Sequence, residues 1–250
     1  MQTAQIQDLL ANEASAAVRA FTDRFGAALA GVDWEDITSS LASLDLLLRE
    51  AGDAGLLWAL YQRAMRDPEL AAAAERFNLF SKIVLYSDRA TGCKLRLHVF
   101  EEPVNEAHNH RAGFAALILR GGYVHALYGG DDAAQQVARG EIPKPLLVQR
   151  QLPGSSYAIH DAMVHSTLAL EVTVSLMIQG PARRTEFNII NLDTGATRNR
   201  KGGGATAESQ EQGERKLVEA DWERVTGILE AAGVVDRDAS RRRVGRKLVL

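Results

Sequence analysis

Residues 108–128, HNHRAGFAALILRGGYVHALY, decide the fold of this 250-residue chain. The segment opens with two histidines one residue apart, continues as an apolar run and reaches a pair of glycines, Gly121 and Gly122. Residues i and i+2 of a strand point to the same face, so His108 and His110 could bind one metal ion. An isolated H-x-H pair is a weak signal, and a metal site needs support from the rest of the chain.

That support comes from a second stretch, residues 153–166. Pro153 and Gly154 predict a turn, an alternating strand follows, and His165 stands twelve positions after the proline. His160 competes with His165 as a third ligand. The two are five positions apart, so a regular strand does not present both to one ion.

In this order and at this spacing, the two stretches resemble the two motifs of the cupin family. The resemblance covers about residues 80–192 and implies a mainly β protein. The expected fold is a cupin double-stranded β-helix, or jelly-roll barrel, with an α-helical N-terminal region and a C-terminal helix. The usual first cupin motif also carries a glutamate ligand four or five residues after its second histidine, where this chain has Phe114 and Ala115.

Without that glutamate, the resemblance implies a metal site made of His108, His110 and His165. Such a site is similar to that of the thiol (cysteine) dioxygenases, which hold Fe(II) with three histidines. The resemblance therefore implies a non-haem iron oxygenase that oxidises a small thiol or amino-acid-like substrate with O₂. Three neutral ligands leave the ion dipositive, which favours an anionic substrate atom. Zn, Ni and Cu also suit three histidines.

Two other functions stay open. One is a metal-dependent cupin lyase or isomerase, in which the metal acts as a Lewis acid and a histidine such as His160 moves protons. The other is a non-catalytic cupin that binds a small molecule.

Residues 173–195 are similar to the late strand of the thiol dioxygenases, which reads serine-x-histidine-x-tyrosine. The three inward positions here are Ser175, Met177 and Gln179, so only the serine is shared. Those enzymes also hold the substrate carboxylate with an arginine on an early strand, and Lys82 stands at roughly that place. We expect His160 and Ser175 to be catalytic. The expected substrate-binding residues are Lys82, His98, His125, Met177 and Gln179.

The chain divides by pattern into four parts: a helical N-terminal region (1–79), the cupin barrel (80–197), a glycine-rich flexible linker (198–213), and a C-terminal helix with a basic tail (214–250). In the first part, Asp33 is expected to cap a helix that ends at Gly52. Asp67 and Pro68 predict the start of another helix.

Composition excludes several classes of protein. A net charge of −3 gives no general attraction for nucleic acid or anionic membranes, and no apolar run approaches the ~20 residues of a membrane span. The N-terminus lacks the pattern of a secretory signal, and a single cysteine, Cys93, excludes an intramolecular disulfide or a cysteine-rich zinc site. We therefore expect a cytoplasmic protein whose partners are a small-molecule substrate and O₂. A homodimer formed through the N-terminal region is possible.

Overall fold

The structure is a computed structural model that describes residues 2–77, 80–103, 105–201 and 215–237. Its helices are α1 (Gln2–Leu29), α2 (Ile37–Ala51), α3 (Ala54–Arg66), α4 (Pro68–Ala72), α5 (Asp131–Ala138) and α6 (Glu219–Ala231). Within this part of the chain, no helix is both long and apolar enough to cross a bilayer.

The described strands form two antiparallel sheets. The strands are β1 (Glu75–Arg76), β2 (Phe80–Ser87), β3 (Lys94–Phe100), β4 (Glu106–His108), β5 (Phe114–Arg120), β6 (Tyr123–Gly129), β7 (Leu147–Gln151), β8 (Ser156–Ile159), β9 (Val164–Ala169), β10 (Thr173–Gln179), β11 (Glu186–Asn191), β12 (Thr197–Lys201) and β13 (Arg215–Lys216). The first sheet has the order β13-β1-β2-β3-β10-β5-β8, and the second has the order β12-β11-β4-β9-β6-β7. From β4 to β11 the chain crosses repeatedly between the two sheets, as in a jelly roll. The expected cupin jelly-roll fold is confirmed.

Strand alternation divides the first sheet into two faces. On β3, Leu95, Leu97 and Val99 are fully buried in a core that they share with the N-terminal helices and α6. The intervening residues of β3 point into the space between the two sheets. The helices therefore cover the outer face of the first sheet and leave its inner face to the cavity.

The glycine pair joins β5 of the first sheet to β6 of the second. Gly121 has a φ of +76°, and a Cβ atom there would lie 2.4 Å from the carbonyl oxygen of Val172. Any other residue would combine backbone strain with a backbone clash, so the turn requires glycine.

One of the helix caps expected from the sequence is wrong. Asp67 caps α4 with Pro68 in its first turn, and Gly52 ends α2, as expected. The cap of α2 is Asp36 and not Asp33, because the Asp36 carboxylate accepts the Ser39 N–H at the start of the helix. Asp33 instead accepts the N–H of Glu35, two residues further along.

The barrel extends beyond its expected C-terminal boundary. Residues 198–201, expected in the flexible linker, belong to β12, where Arg198 pairs with Ile189 of β11. The rest of the linker, 202–213, and the end of the basic tail, 238–250, lie outside the described residues. Beyond the linker, β13 pairs with β1 in the first sheet, which ties the C-terminal region to the N-terminal one.

Candidate metal centre

Three histidines meet at the inner end of the barrel. His108 ends β4 and lies directly across from His165 on β9, its partner in the antiparallel ladder. His110 lies just past β4, where its backbone N–H donates to the carbonyl oxygen of Asp161. The ring centroids of the three histidines are 4.7, 4.8 and 4.9 Å apart, and one nitrogen of each lies within 4.8 Å of the others. The strand expected over residues 108–110 instead covers Glu106–His108, two residues earlier, but both imidazoles still converge.

The donor chemistry fits a metal ion. Burial lowers the pKa of His108 to about 4 and holds the pKa values of His110 and His165 well below the usual value. All three rings are neutral at physiological pH, which is the form that binds metals. Nε2 of His110 lies 2.7 Å from Nε2 of His165. Two metal–imidazole bonds of about 2.0–2.1 Å at a right angle place their nitrogens about 3 Å apart.

His125 and Gln151 contact the side of His165 that faces away from the other two histidines. Nδ1 of His165 lies 2.9 Å from Nε2 of His125, and Nδ1 of His125 lies 3.4 Å from the amide nitrogen of Gln151. Both His125 and Gln151 are buried. This contact occupies the nitrogen of His165 that faces away from the other two histidines, so its Nε2 is the one available for a metal.

Phenylalanine occupies the place of the missing carboxylate. The Phe114 ring lies 4.7 Å from the His110 ring and 5.8 Å from the His165 ring, and it is almost completely buried. Ala115 points the other way, into the core beneath the helices. Glu106 lines the cavity but is paired with Arg198 at 2.7 Å. Among the described residues, the three histidines are the only group of three or more His, Cys, Asp or Glu side chains placed closely enough to hold a metal ion.

A cavity of about 810 Å³ opens from the histidines between the two sheets. The structure places several of the expected site residues on its wall: Lys82, His98, Ser175, Met177 and Gln179. Lys82 forms an ion pair with Glu75, and burial lowers its pKa to about 8. Ser175 lies directly across from His98 in the first sheet.

Two expected site residues are not on the cavity wall. His125 was expected to contact substrate, but it lies behind His165. His160 was expected to be catalytic, but its Nε2 points towards Asp161 and Glu35 at 3.3 and 3.7 Å. Its Nδ1 accepts the backbone N–H of Ala162. The choice between His160 and His165 as third neighbour of His108 and His110 therefore falls on His165.

Three further cavity residues were not expected from the sequence. Tyr123 and Tyr157 share a hydrogen bond between their hydroxyl groups. Burial raises the pKa of both phenols, so both stay protonated; one hydroxyl proton forms their mutual bond, and the other can be donated into the cavity. Arg96 lies on the same face of β3 as His98. The alternation of β3 contained the signal for Arg96, whereas the tyrosines meet only through long-range pairing.

Comparisons with known proteins return structural neighbours alone. No protein-family model and no curated protein matches the chain. A cupin superfamily protein from Desulfitobacterium hafniense is 15% identical, with 42% of this chain and 81% of that one covered at a TM-score of 0.31. Ectoine synthase from P. lautus is 15% identical, with 42% of this chain and 67% of that one covered at a TM-score of 0.32. A ribosomal oxygenase from Escherichia coli is 14% identical, with 37% of this chain and 24% of that one covered at a TM-score of 0.30.

The neighbours have different activities, and at these identities and TM-scores none of those activities transfers to this chain. The order of its own strands establishes the fold. The chain is a cupin-type jelly roll with a three-histidine cluster suited to a metal ion.

Proposed function

We propose that the protein is an Fe(II)-dependent oxygenase that oxidises a small organic substrate, such as a thiol or an amino-acid-like compound, with O₂. The observation that carries this proposal is the convergence of three neutral imidazoles, with Phe114 where a fourth ligand would stand. His108, His110 and His165 would hold the iron ion, which would supply the redox chemistry between substrate and O₂.

The protein's own residues would hold the metal, shield it from water and orient the ligand His165. Phe114 excludes water from one side of the histidines and supplies no competing ligand. His125 keeps His165 in one orientation through their 2.9 Å contact. The Tyr123–Tyr157 pair donates a hydrogen bond from the cavity wall, because both phenols remain protonated.

The same tyrosine pair favours a second candidate, a metal-dependent lyase or isomerase. A metal held by the histidines would supply Lewis-acid polarisation of a substrate oxygen, and a buried phenol would donate a hydrogen bond or proton to the developing charge. Tyr157 would take the part that the sequence assigned to His160, since His160 lies away from the cavity.

The test is O₂ consumption by anaerobically purified, iron-loaded protein with a panel of thiols and amino-acid-like compounds. The oxygenase proposal predicts substrate-dependent O₂ uptake that is absent from His110→Ala. Substrate conversion without O₂ uptake would support the lyase or isomerase instead. If the protein binds iron but no substrate causes O₂ uptake or is converted, both enzyme proposals would fail and a binding protein would be favoured.

A further inference from the structure

The cavity carries far more positive than negative charge. Eight lysine or arginine residues line it, against three glutamates. Each glutamate already has a cationic partner: Glu75 pairs with Lys82 and Lys216, Glu106 with Arg198, and Glu69 with an arginine outside the cavity. The surplus charge therefore faces the space that a ligand would fill.

Among the cavity cations that no cavity glutamate pairs with, Arg96 lies deepest. It lies in the middle of the first sheet, with the apolar side chains of Val84 and Met177 directly across from it. Its Nε is buried without a hydrogen-bond partner, and the described residues give it no ion pair. Burial lowers its pKa to about 10; the charge of the Glu75 carboxylate opposes this shift, and the charge of Arg111 adds to it. A guanidinium whose Nε is buried without a partner destabilises the ligand-free fold, and a bound anion would relieve that cost.

The neighbours of Arg96 on β3 present further hydrogen-bond donors to the cavity. His98 is only 8% exposed, and its Nε2 has no partner in the described part of the chain. Lys94, on the other side, lines the cavity without a carboxylate partner among the described residues. Residues 94, 96 and 98 share one face of the strand, so their side chains point into the same space.

The cavity is also larger than an amino acid requires. Its volume of about 810 Å³ lies in the range of about 300–1,000 Å³ that holds drug-sized ligands. Stacked phenylalanine rings, Phe80 and Phe100, flank His98 and provide an apolar wall. A matching ligand combines a strongly anionic group with a less polar body.

We propose that Lys94, Arg96 and His98 form a subsite for a dianionic oxygen group, a phosphate or a pair of carboxylates, on a ligand larger than an amino acid. Lys82 is not the anchor, because Glu75 neutralises it. The proposal rests on the proposed function in one respect: it places the reacting end of that ligand at the three histidines.

The test measures anion binding to full-length protein stripped of metal, so that the anion cannot bind an ion at the histidines. Isothermal titration calorimetry at constant ionic strength compares inorganic phosphate, malonate and chloride, for the parent and for Arg96→Gln. Arg150→Gln is the matched control, since Arg150 is exposed on β7. We expect phosphate or malonate to bind at one site, and Arg96→Gln to weaken binding about tenfold or more. Arg150→Gln should bind as the parent does.

Preference for phosphate identifies a phosphate ester as the ligand class, and preference for malonate identifies a dicarboxylate. Binding of neither anion, or equal binding by the parent and Arg96→Gln, overturns the proposal. If circular dichroism shows that Arg96→Gln is unfolded, Lys94→Gln decides in its place, with a several-fold loss expected. Iron content and O₂ consumption are independent of this readout, so the subsite and the proposed function can fail separately.

Discussion

Nδ1 of His165 lies 2.9 Å from Nε2 of His125, although neither the spacing nor the pattern of the sequence links the two residues. When His165 binds a metal through Nε2, its neutral ring carries its proton on Nδ1. This N–H donates a hydrogen bond to Nε2 of His125. His125 then carries its own proton on Nδ1, facing Gln151. A half-turn of the Gln151 amide places an acceptor oxygen there.

This relationship predicts that His125 sets the metal affinity without touching the metal. His125→Phe should weaken metal binding about 10–100-fold, the usual cost of losing such a supporting contact. The measurement is a competition titration with a chromogenic chelator. His160→Phe is the matched control, because His160 lies outside the cavity, and its affinity should equal that of the parent. Equal affinities for all three proteins would remove His125 from the centre.

The ligands themselves give a second prediction. His110→Ala and His165→Ala should each lose most bound metal, as measured by elemental analysis, whereas His160→Ala should retain it. The fold should survive in all three, because the barrel is held by apolar residues such as Leu97 and Leu176. Metal retention in His165→Ala, with loss in His160→Ala, would mean that the register of β9 is shifted and that His160 is the third ligand.

Phe114 offers a test of the missing carboxylate. Its ring lies 4.7 Å from that of His110, so Phe114→Glu places a carboxylate beside the centre. We expect the variant to keep its metal and to lose most O₂ consumption, because the added anionic ligand occupies an open position. Ala115→Glu is the contrasting variant. It puts a charge into the core beneath the helices and should lower the melting temperature sharply.

An unchanged oxidation rate in Phe114→Glu, with the carboxylate shown spectroscopically to bind the metal, would contradict the need for an open position. Circular dichroism must first show that Phe114→Glu is folded, because Phe114 also packs in the core between the sheets.

The burial of Lys82 predicts a pH dependence of stability. Its pKa falls from 10.5 to about 8 in the folded protein, so the unfolded chain binds more protons between those values. Stability contributed by this group therefore rises as pH increases from about 8 to 10.5. Urea unfolding of the parent and of Lys82→Met should show a difference that changes across this range. The exposed Lys144→Met should run parallel to the parent, and a parallel curve for Lys82→Met would contradict the prediction.

The sequence predicts the fold better than the site. The fold is visible in local sequence patterns, whereas the site depends on contacts between residues that are far apart in the chain. Alternation in β3 and the glycine pair after β5 are local signals, and both give the barrel correctly. The strand β9 has no such signal, since Ser166 and Thr167 interrupt its pattern although both are buried. Helix α5 was missed because its buried face is made of small residues, Ala133 and Ala134 with Val137.

Within the site, the histidines were found because a motif contains them. The contacts of His125 and of Tyr157 arise from pairing between separate strands, which no local pattern specifies. His160 shows the converse case. It sits in the second motif, but the bend after β8 turns it towards Glu35 and away from the cavity.

The most direct test of the account is a crystal structure of the anaerobically iron-loaded protein with data collected at the iron absorption edge. The account predicts one anomalous peak about 2.0–2.2 Å from a nitrogen of each of His108, His110 and His165, with no carboxylate ligand. A peak bound by Glu106, or a fully iron-loaded protein with its metal elsewhere, would contradict the three-histidine centre.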